Sequence, residues 1–203
     1  MTSEFWNQRF AFPEYVYGTE PNAFLVSQKK YLAPGMRALA VADGEGRNGV
    51  WLAQQGLDVL SVDGSEVGLR KARELAAQRG VSIRTTLADL TTWTWPEAEY
   101  DIAAALFIHF PSEQRTRMHR KMLEALKPGG VLIVEAFTPE QLRHKTGGPP
   151  MEEMLYTAEM LRRDFSEADI LLLQETLTDL QEGSGHRGTA SVARLVLRRA
   201  SSR

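Results

Sequence analysis

The sequence predicts an α/β fold built on a largely parallel sheet that closes with a reversed strand, and three observations carry that prediction. Short apolar runs alternate with helix-length segments as far as residue 137. Those runs are apolar throughout rather than alternating, as strands covered on both faces should be. The last two β-rich runs are joined by a connection too short for a crossover helix, so they must pair antiparallel.

Pro34-Gly35 precedes the small, apolar run Ala38 to Ala42, a buried strand that empties into the turn Asp43-Gly44-Glu45-Gly46. Asn48 to Gln55 follows as a helix and stops at Gly56, a residue suited to the left-handed position after a helix end. Val59 to Val62 is the second strand and ends in Asp63-Gly64. Ser65 is placed to cap the next helix, whose Leu69, Ala72 and Ala76 share a face before Gly80. Ile83 to Leu87 is the third strand, ending at Asp89, and Ile102 to Ile108 the fourth. Met118, Met122 and Leu126 recur every four residues on a helix expected to end at Pro128-Gly129-Gly130, ahead of a fifth strand from Val131 to Val134. A polar segment from Thr138 to Pro150 leads to a predicted helix over Glu153 to Arg163. Ile170 to Leu177 and Ser191 to Leu197 are the final strands, joined by the glycine-rich stretch Glu182 to Gly188.

The 203 residues fit one domain, and a chain of that size buries about 70% of its unfolded surface without staples. A formal net charge of −2 lacks the basic surplus of a nucleic-acid binder. Hydrophobic residues at 43% and charged residues at 25% are ordinary for a soluble globular protein. There is no cysteine, which removes disulfides, cysteine–zinc sites and thiol nucleophiles. Met1 to Phe10 has no apolar signal core, and the longest apolar run, Ile102 to Ile108, is too short to span a bilayer. The expectation is a soluble, cytoplasmic protein with no membrane partner, as a monomer or homodimer.

Gly44-Glu45-Gly46-Arg47-Asn48-Gly49 spells G-x-G-x-x-G between a predicted strand and helix, and Asp63 stands 17 residues past Gly46 at the end of the next strand. That layout brings an acid to the ribose hydroxyls of a nucleotide lying across the turn. Dinucleotides and S-adenosylmethionine both use it. Asp43 and Glu45 flank Gly44, and two carboxylates ~4 Å apart repel by ~1 kcal/mol even in water. A pyrophosphate would suffer there, whereas the sulfonium and ammonium of S-adenosylmethionine would not. The chain also leaves no sizeable second domain for a dehydrogenase substrate and lacks Tyr-x-x-x-Lys.

Over essentially its whole length the sequence resembles a class I S-adenosylmethionine-dependent methyltransferase. The resemblance rests on the glycine turn, Val62-Asp63-Gly64-Ser65, Ala88-Asp89-Leu90, Tyr100-Asp101 and Leu126-Lys127-Pro128-Gly129-Gly130. Glu14 to Asn22, Thr146-Gly147-Gly148-Pro149 and Glu182 to His186 are similar to a small bacterial subgroup related to tellurite-resistance and thiopurine methyltransferases. The resemblance implies a three-layer Rossmann-like methyltransferase fold with a seven-stranded, mostly parallel sheet whose last strand is antiparallel. It implies a single domain over residues 1–203, with an aromatic N-terminal lid (1–33), a cofactor-binding core (34–137) and an acceptor-side segment (138–203). Gly44 and Gly46 would lie against the methionine portion of S-adenosylmethionine, and Asp63 would bind the ribose. Gly64, Ser65, Ala88, Asp89 and Leu90 would border the ribose and adenine, and Arg47, Asn48 and Leu106 are further cofactor-binding candidates. The family's usual acid and first glycine fall on Ala40 and Ala42, so Asp43 would have to hold the ammonium.

Seven of the 17 aromatic residues fall in the first 24: Phe5, Trp6, Phe10, Phe12, Tyr15, Tyr17 and Phe24. An aromatic face attracts a cation by roughly 0.5–2 kcal/mol. A lid over the sulfonium is expected, with Tyr17 nearest the cofactor; the plainer reading is that the rings cover the sheet. His109, at the carboxyl edge of the fourth strand, and His186 are the candidate catalytic residues, with His144 a further acceptor-side candidate. His119 is expected to face solvent, as are Arg115, Arg117, Arg120 and Lys121 and the cluster Arg198, Arg199 and Arg203. No histidine pair has metal-ligand spacing. Leu106 to Pro111 stands where the Asn/Asp-Pro-Pro-aromatic motif of amino-nitrogen methylation would be. With no basic surplus and no added recognition domain the expected acceptor is a small molecule, and the resemblance implies a thiol or metalloid among the candidates. The alternatives are a non-catalytic S-adenosylmethionine-binding regulatory protein and an NAD-dependent dehydrogenase.

Overall fold

Two short helices, α1 (Ser3–Phe10) and α2 (Ala23–Ser27), lead into the alternating core in a computed structural model that describes residues 2–201. The core runs β1 (Arg37–Val41), α3 (Arg47–Gln54), β2 (Asp58–Asp63), α4 (Glu66–Gln78), β3 (Arg84–Leu87), β4 (Tyr100–Leu106), α5 (Ser112–Ala125) and β5 (Leu126–Phe137). It closes with α6 (Ala158–Asp164), β6 (Asp169–Glu182) and β7 (His186–Arg198). The seven strands form one sheet in the order β3-β2-β1-β4-β5-β7-β6, with β7 antiparallel to both neighbours. The predicted fold class is the observed one.

The period of two along each strand explains the layers. On β1, Leu39 and Val41 pack with Ala103 and Ala105 under α5 residues Met118 and Met122. Ala38 and Ala40 point the other way, with Ile102, Ala104 and Leu52 of α3. Small residues on the paired centres of β1 and β4 let both helical layers approach the sheet. Ser65 caps α4 as expected, its Oγ accepting from the Gly68 amide at 3.0 Å.

Several expectations are corrected. The helix carrying Met118 ends at Ala125, and Leu126 opens β5 by pairing with Tyr100, so Pro128-Gly129-Gly130 forms an irregularity within the strand pairing. The helix expected over 153–163 breaks into a 3-10 turn (Glu152–Met154) and α6, because Leu155 and Tyr156 are pulled into extended, fully buried positions. The Tyr156 amide donates to Phe137 O and its hydroxyl accepts from the Phe110 amide. The terminal hairpin is longer than its apolar runs, with only residues 183–185 outside the strands. His119 is buried, 2.8 Å from Asp164, and Arg115 reaches the same carboxylate at 2.7 Å. These side chains tie α5 to α6 instead of facing solvent. Arg199 also turns inward, donating to the Glu124 and Leu126 carbonyls, and Arg203 lies outside the described residues. Among the described residues no helix is long and apolar enough to cross a membrane.

Candidate active site

The carboxyl ends of β1, β2 and β4 open into a cavity of about 880 Å³, a volume in the usual range for small-molecule sites. α1 and the segment through Gly18 cover one side; residues 147–150 and the β6–β7 turn wall the other.

Beneath it the glycine turn is held by its own acids. Ala42 adopts φ 51°, the left-handed conformation that favours glycine, and its single methyl group is the smallest side chain that can occupy it. Asp43 accepts from the Gly49 amide at 3.1 Å and from Ser61 Oγ at 2.6 Å, and burial pushes its pKa up to about 6 against those bonds. Glu45 lies 2.5 Å from Lys71 Nζ and accepts from the Val16 amide. Neither acid is a bare anion facing the cavity: Lys71 is paired with Glu45, and the Gly49 amide and Ser61 hydroxyl hold Asp43. Asp63 accepts from the Gly44 and Ser65 amides, both at 2.8 Å, and lines the cavity. Burial raises its pKa and the amides oppose the rise, while each oxygen keeps a second lone pair.

Most of the sequence-predicted cofactor residues converge here: Tyr17, Asp43, Gly44, Arg47, Asn48, Asp63, Gly64, Ala88, Asp89, Leu90 and Leu106 all line the cavity. Gly46 and Ser65 do not. Gly46 is the left-handed N-cap of α3, where a side chain would land on Ala72 of α4. Ser65 caps α4 and donates to Asn7 Oδ1 at 2.7 Å, which docks α1.

Of the seven N-terminal aromatics, Phe5, Trp6, Phe10 and Tyr17 line the cavity. Phe24 belongs to the core, and Phe12 points outward. Tyr15 packs over Lys71. Lys71, 4% exposed, donates to the carbonyls of Phe10, Phe12 and Glu14. It clasps the covering segment to α4. No sequence pattern announces such a lysine, because its partners are backbone oxygens about 60 residues away.

The histidines separate sharply. His109 lines the cavity, but both its nitrogens are engaged: Nδ1 lies 2.7 Å from the Met154 carbonyl and Nε2 accepts from the Phe137 amide. Burial lowers its pKa to about 4. His144 is not among the lining residues. His186 does line the cavity, set edge-on to Phe107 and Phe137 and tilted against Tyr17, with Nδ1 3.0 Å from Glu182. Sequence reading passed over Glu182 by leaving it in a loop. Phe107 was missed too; it holds φ 57° with its ring stacked on Phe137. A bulky residue in that conformation marks strain kept at a site.

Comparison with known proteins agrees with this geometry. Residues 38–130 match the model of a methyltransferase domain. Over 125 residues the chain is 35% identical to glycine/sarcosine N-methyltransferase of Halorhodospira halochloris, covering 58% of this chain and 45% of that protein. The chain thus matches about half the length of such relatives, or less. A solved structure from work on conversion of a disulfide bond into a thioacetal group during echinomycin biosynthesis superposes with TM-score 0.81 at 18% identity, covering 99% of this chain and 93% of that one. TehB from Haemophilus influenzae gives 0.69 at 19%, covering 97% and 66%. At these identities the likeness is one of fold: a methyltransferase-type α/β sheet.

Proposed function

We propose that this chain binds S-adenosylmethionine across the Gly44–Gly49 turn and transfers its methyl group to a small molecule in the aromatic half of the cavity. The observation that carries this reading is Asp63, a buried carboxylate on the cavity wall, bonded to the glycine turn and lying within the segment that matches a methyltransferase domain. The residues fit the cofactor. Asp63 has lone pairs for two ribose hydroxyls, and the cradle at Gly64 is open, with only Ser3 Oγ and Ala88 O near an added Cβ. Phe10 and Tyr17 add aromatic surface to the cavity wall, with Trp6 stacked on Phe10 and the Arg9 guanidinium over the Tyr17 ring.

When bound, S-adenosylmethionine supplies a methyl group already activated for displacement by a lone pair in line with sulfur. The chain therefore contributes orientation and a dry cavity. Asp63 and the turn position the nucleoside, Tyr17 and Phe10 exclude water, and Phe107, Phe137 and Phe110 form an apolar wall for the acceptor. A thiol or reduced metalloid suits such a wall, in line with the resemblance to tellurite-resistance and thiopurine methyltransferases.

Asp63→Ala tests the reading. Charge-assisted bonds to two hydroxyls are worth roughly 1.5–3 kcal/mol each at best, so calorimetry should record at least tenfold weaker S-adenosylmethionine binding. Unchanged affinity, or a preference for NAD in the unaltered protein, would overturn it.

A further inference from the structure

Glu182 and His186 are the final register pair of the β6–β7 ladder, facing each other across Gly183-Ser184-Gly185. Hairpin closure sets their geometry, with Nδ1 3.0 Å from Glu182 Oε2. The carboxylate is itself pinned: Arg47 Nη2 donates to Oε2 at 2.7 Å and Asn22 Nδ2 donates to Oε1 at 3.0 Å. All four side chains are at least nine-tenths buried. A carboxylate on Nδ1 keeps the proton there and leaves Nε2 with its lone pair, the arrangement that makes histidine a base. Nε2 has no hydrogen-bond partner among the described residues. Gly147 keeps its edge of the ring approachable: an added Cβ would lie 2.6 Å from Cδ2 and 3.3 Å from Nε2.

Burial favours the same state. It lowers the His186 pKa; the bond to Glu182 and its charge oppose that, and the Arg47 and Arg9 charges add a smaller lowering. The imidazole is neutral and free to take a proton. Burial works against ionising Glu182, but the bond to His186 and the Arg47 charge outweigh it and hold its pKa at about 2. Glu135, the next acid, shares Asn22 with Glu182 and is paired with Arg194 at 2.7 Å. His109 faces His186 from the end of β4 with both nitrogens engaged, and so does not compete.

We propose that His186 is the general base of methyl transfer, oriented by Glu182 as a positioning residue, and that the acceptor carries a proton on its attacking atom. The inference rests on the methyl-transfer reading and narrows it to a thiol or hydroxyl rather than a proton-free metalloid anion or halide. The acceptor's proton passes to Nε2 as its lone pair bonds to the methyl carbon, and the carbon–sulfur bond breaks with its pair on sulfur. The charge that began on the sulfonium ends on the imidazolium, beside the Glu182 carboxylate.

The test uses the full chain with S-adenosylmethionine and two probes, 2-mercaptoethanol and phenol. His186→Gln should lose ~10²–10⁴-fold in kcat at pH 7 on an accepted probe. For the thiol that deficit should shrink as pH rises through the acceptor's own pKa, about 8.5 for a typical thiol, because the solvent then removes the proton. Glu182→Gln should lose at least ~10-fold in kcat with little change in KM. Independently of turnover, ¹⁵N NMR should find His186 as the Nδ1–H tautomer, a preference lost in Glu182→Gln. An Nε2–H tautomer in the unaltered protein, a His186→Gln deficit that is below threefold or constant with pH, or turnover of iodide but of neither protic probe would overturn the proposal. Failure of the unaltered protein to bind S-adenosylmethionine in calorimetry would overturn the methyl-transfer reading instead, and the tautomer would still decide the geometry of the pair.

Discussion

His109 illustrates how one side chain can sit at the right edge of the sheet and yet be committed to the backbone. Its ring joins the Met154 carbonyl to the Phe137 amide, and so links the segment before α6 to the end of β5. Protonation would turn Nε2 into a donor facing another donor. The folded-state pKa of about 4 lies below the ordinary value of 6.5, so the unfolded chain binds more protons between those limits. His109 therefore contributes stability that is complete above pH 6.5 and is lost as pH falls toward 4. Asp43, raised to about 6, acts with the opposite sign between pH 4 and 6. Comparing urea unfolding of the unaltered protein with His109→Gln isolates the histidine. The variant's stability should fall by about 1–3 kcal/mol less between pH 7 and pH 4.5. Parallel pH profiles would mean that both ring nitrogens are not held as described.

At the scale of elements, the covering segment owes its position to one amine. Lys71 on α4 holds three carbonyls of residues 10–14 and the carboxylate of Glu45, and Asn7 adds a second tether at the start of α4. Removing one partner of a buried ion pair leaves the other charge uncompensated, which costs about 3–5 kcal/mol. Lys71→Met should lower stability by that amount in urea unfolding. Limited proteolysis should then cleave first within residues 10–17. Cleavage spread evenly over the chain would show that the segment is held by its aromatic contacts and not by the clasp. The hairpin turn takes part in the same assembly, since the Gly185 amide donates to Val16 O and a side chain at Gly183 would collide with Val16 and Gly18. Covering segment, cofactor turn and His186 are thereby one packed unit.

For the whole molecule, that unit implies that a ligand in the cavity ties the N-terminal segment, the β1–α3 turn and the terminal hairpin together. A ligand that binds only the folded state stabilises it by about 2.7 kcal/mol at a hundredfold excess over Kd. S-adenosylmethionine at that excess should raise the unfolding midpoint accordingly and slow proteolysis within residues 2–20 more than elsewhere. Equal cleavage with and without the cofactor would return Phe5, Trp6, Phe10 and Tyr17 to the role of a permanent cover for the sheet.

What the sequence determined by itself is local in origin. Apolar runs bounded by glycine and proline specify strands whose side chains have neighbours on both faces. Ser65 announces a cap, and Gly44, Gly46 and Asp63 mark a nucleotide turn because their spacing spans a single β-α-β unit. The class of the sheet and its reversed strand followed from connection lengths. Tertiary structure decided whatever depends on partners distant in the chain. It buried His119 against Asp164, 45 residues away, and split the helix expected over 153–163 so that Leu155 and Tyr156 could fill the core. It turned Lys71 onto backbone oxygens, and it engaged His109 while leaving Nε2 of His186 free. Two histidines that look alike in a sequence were separated by which lone pairs the fold had already used.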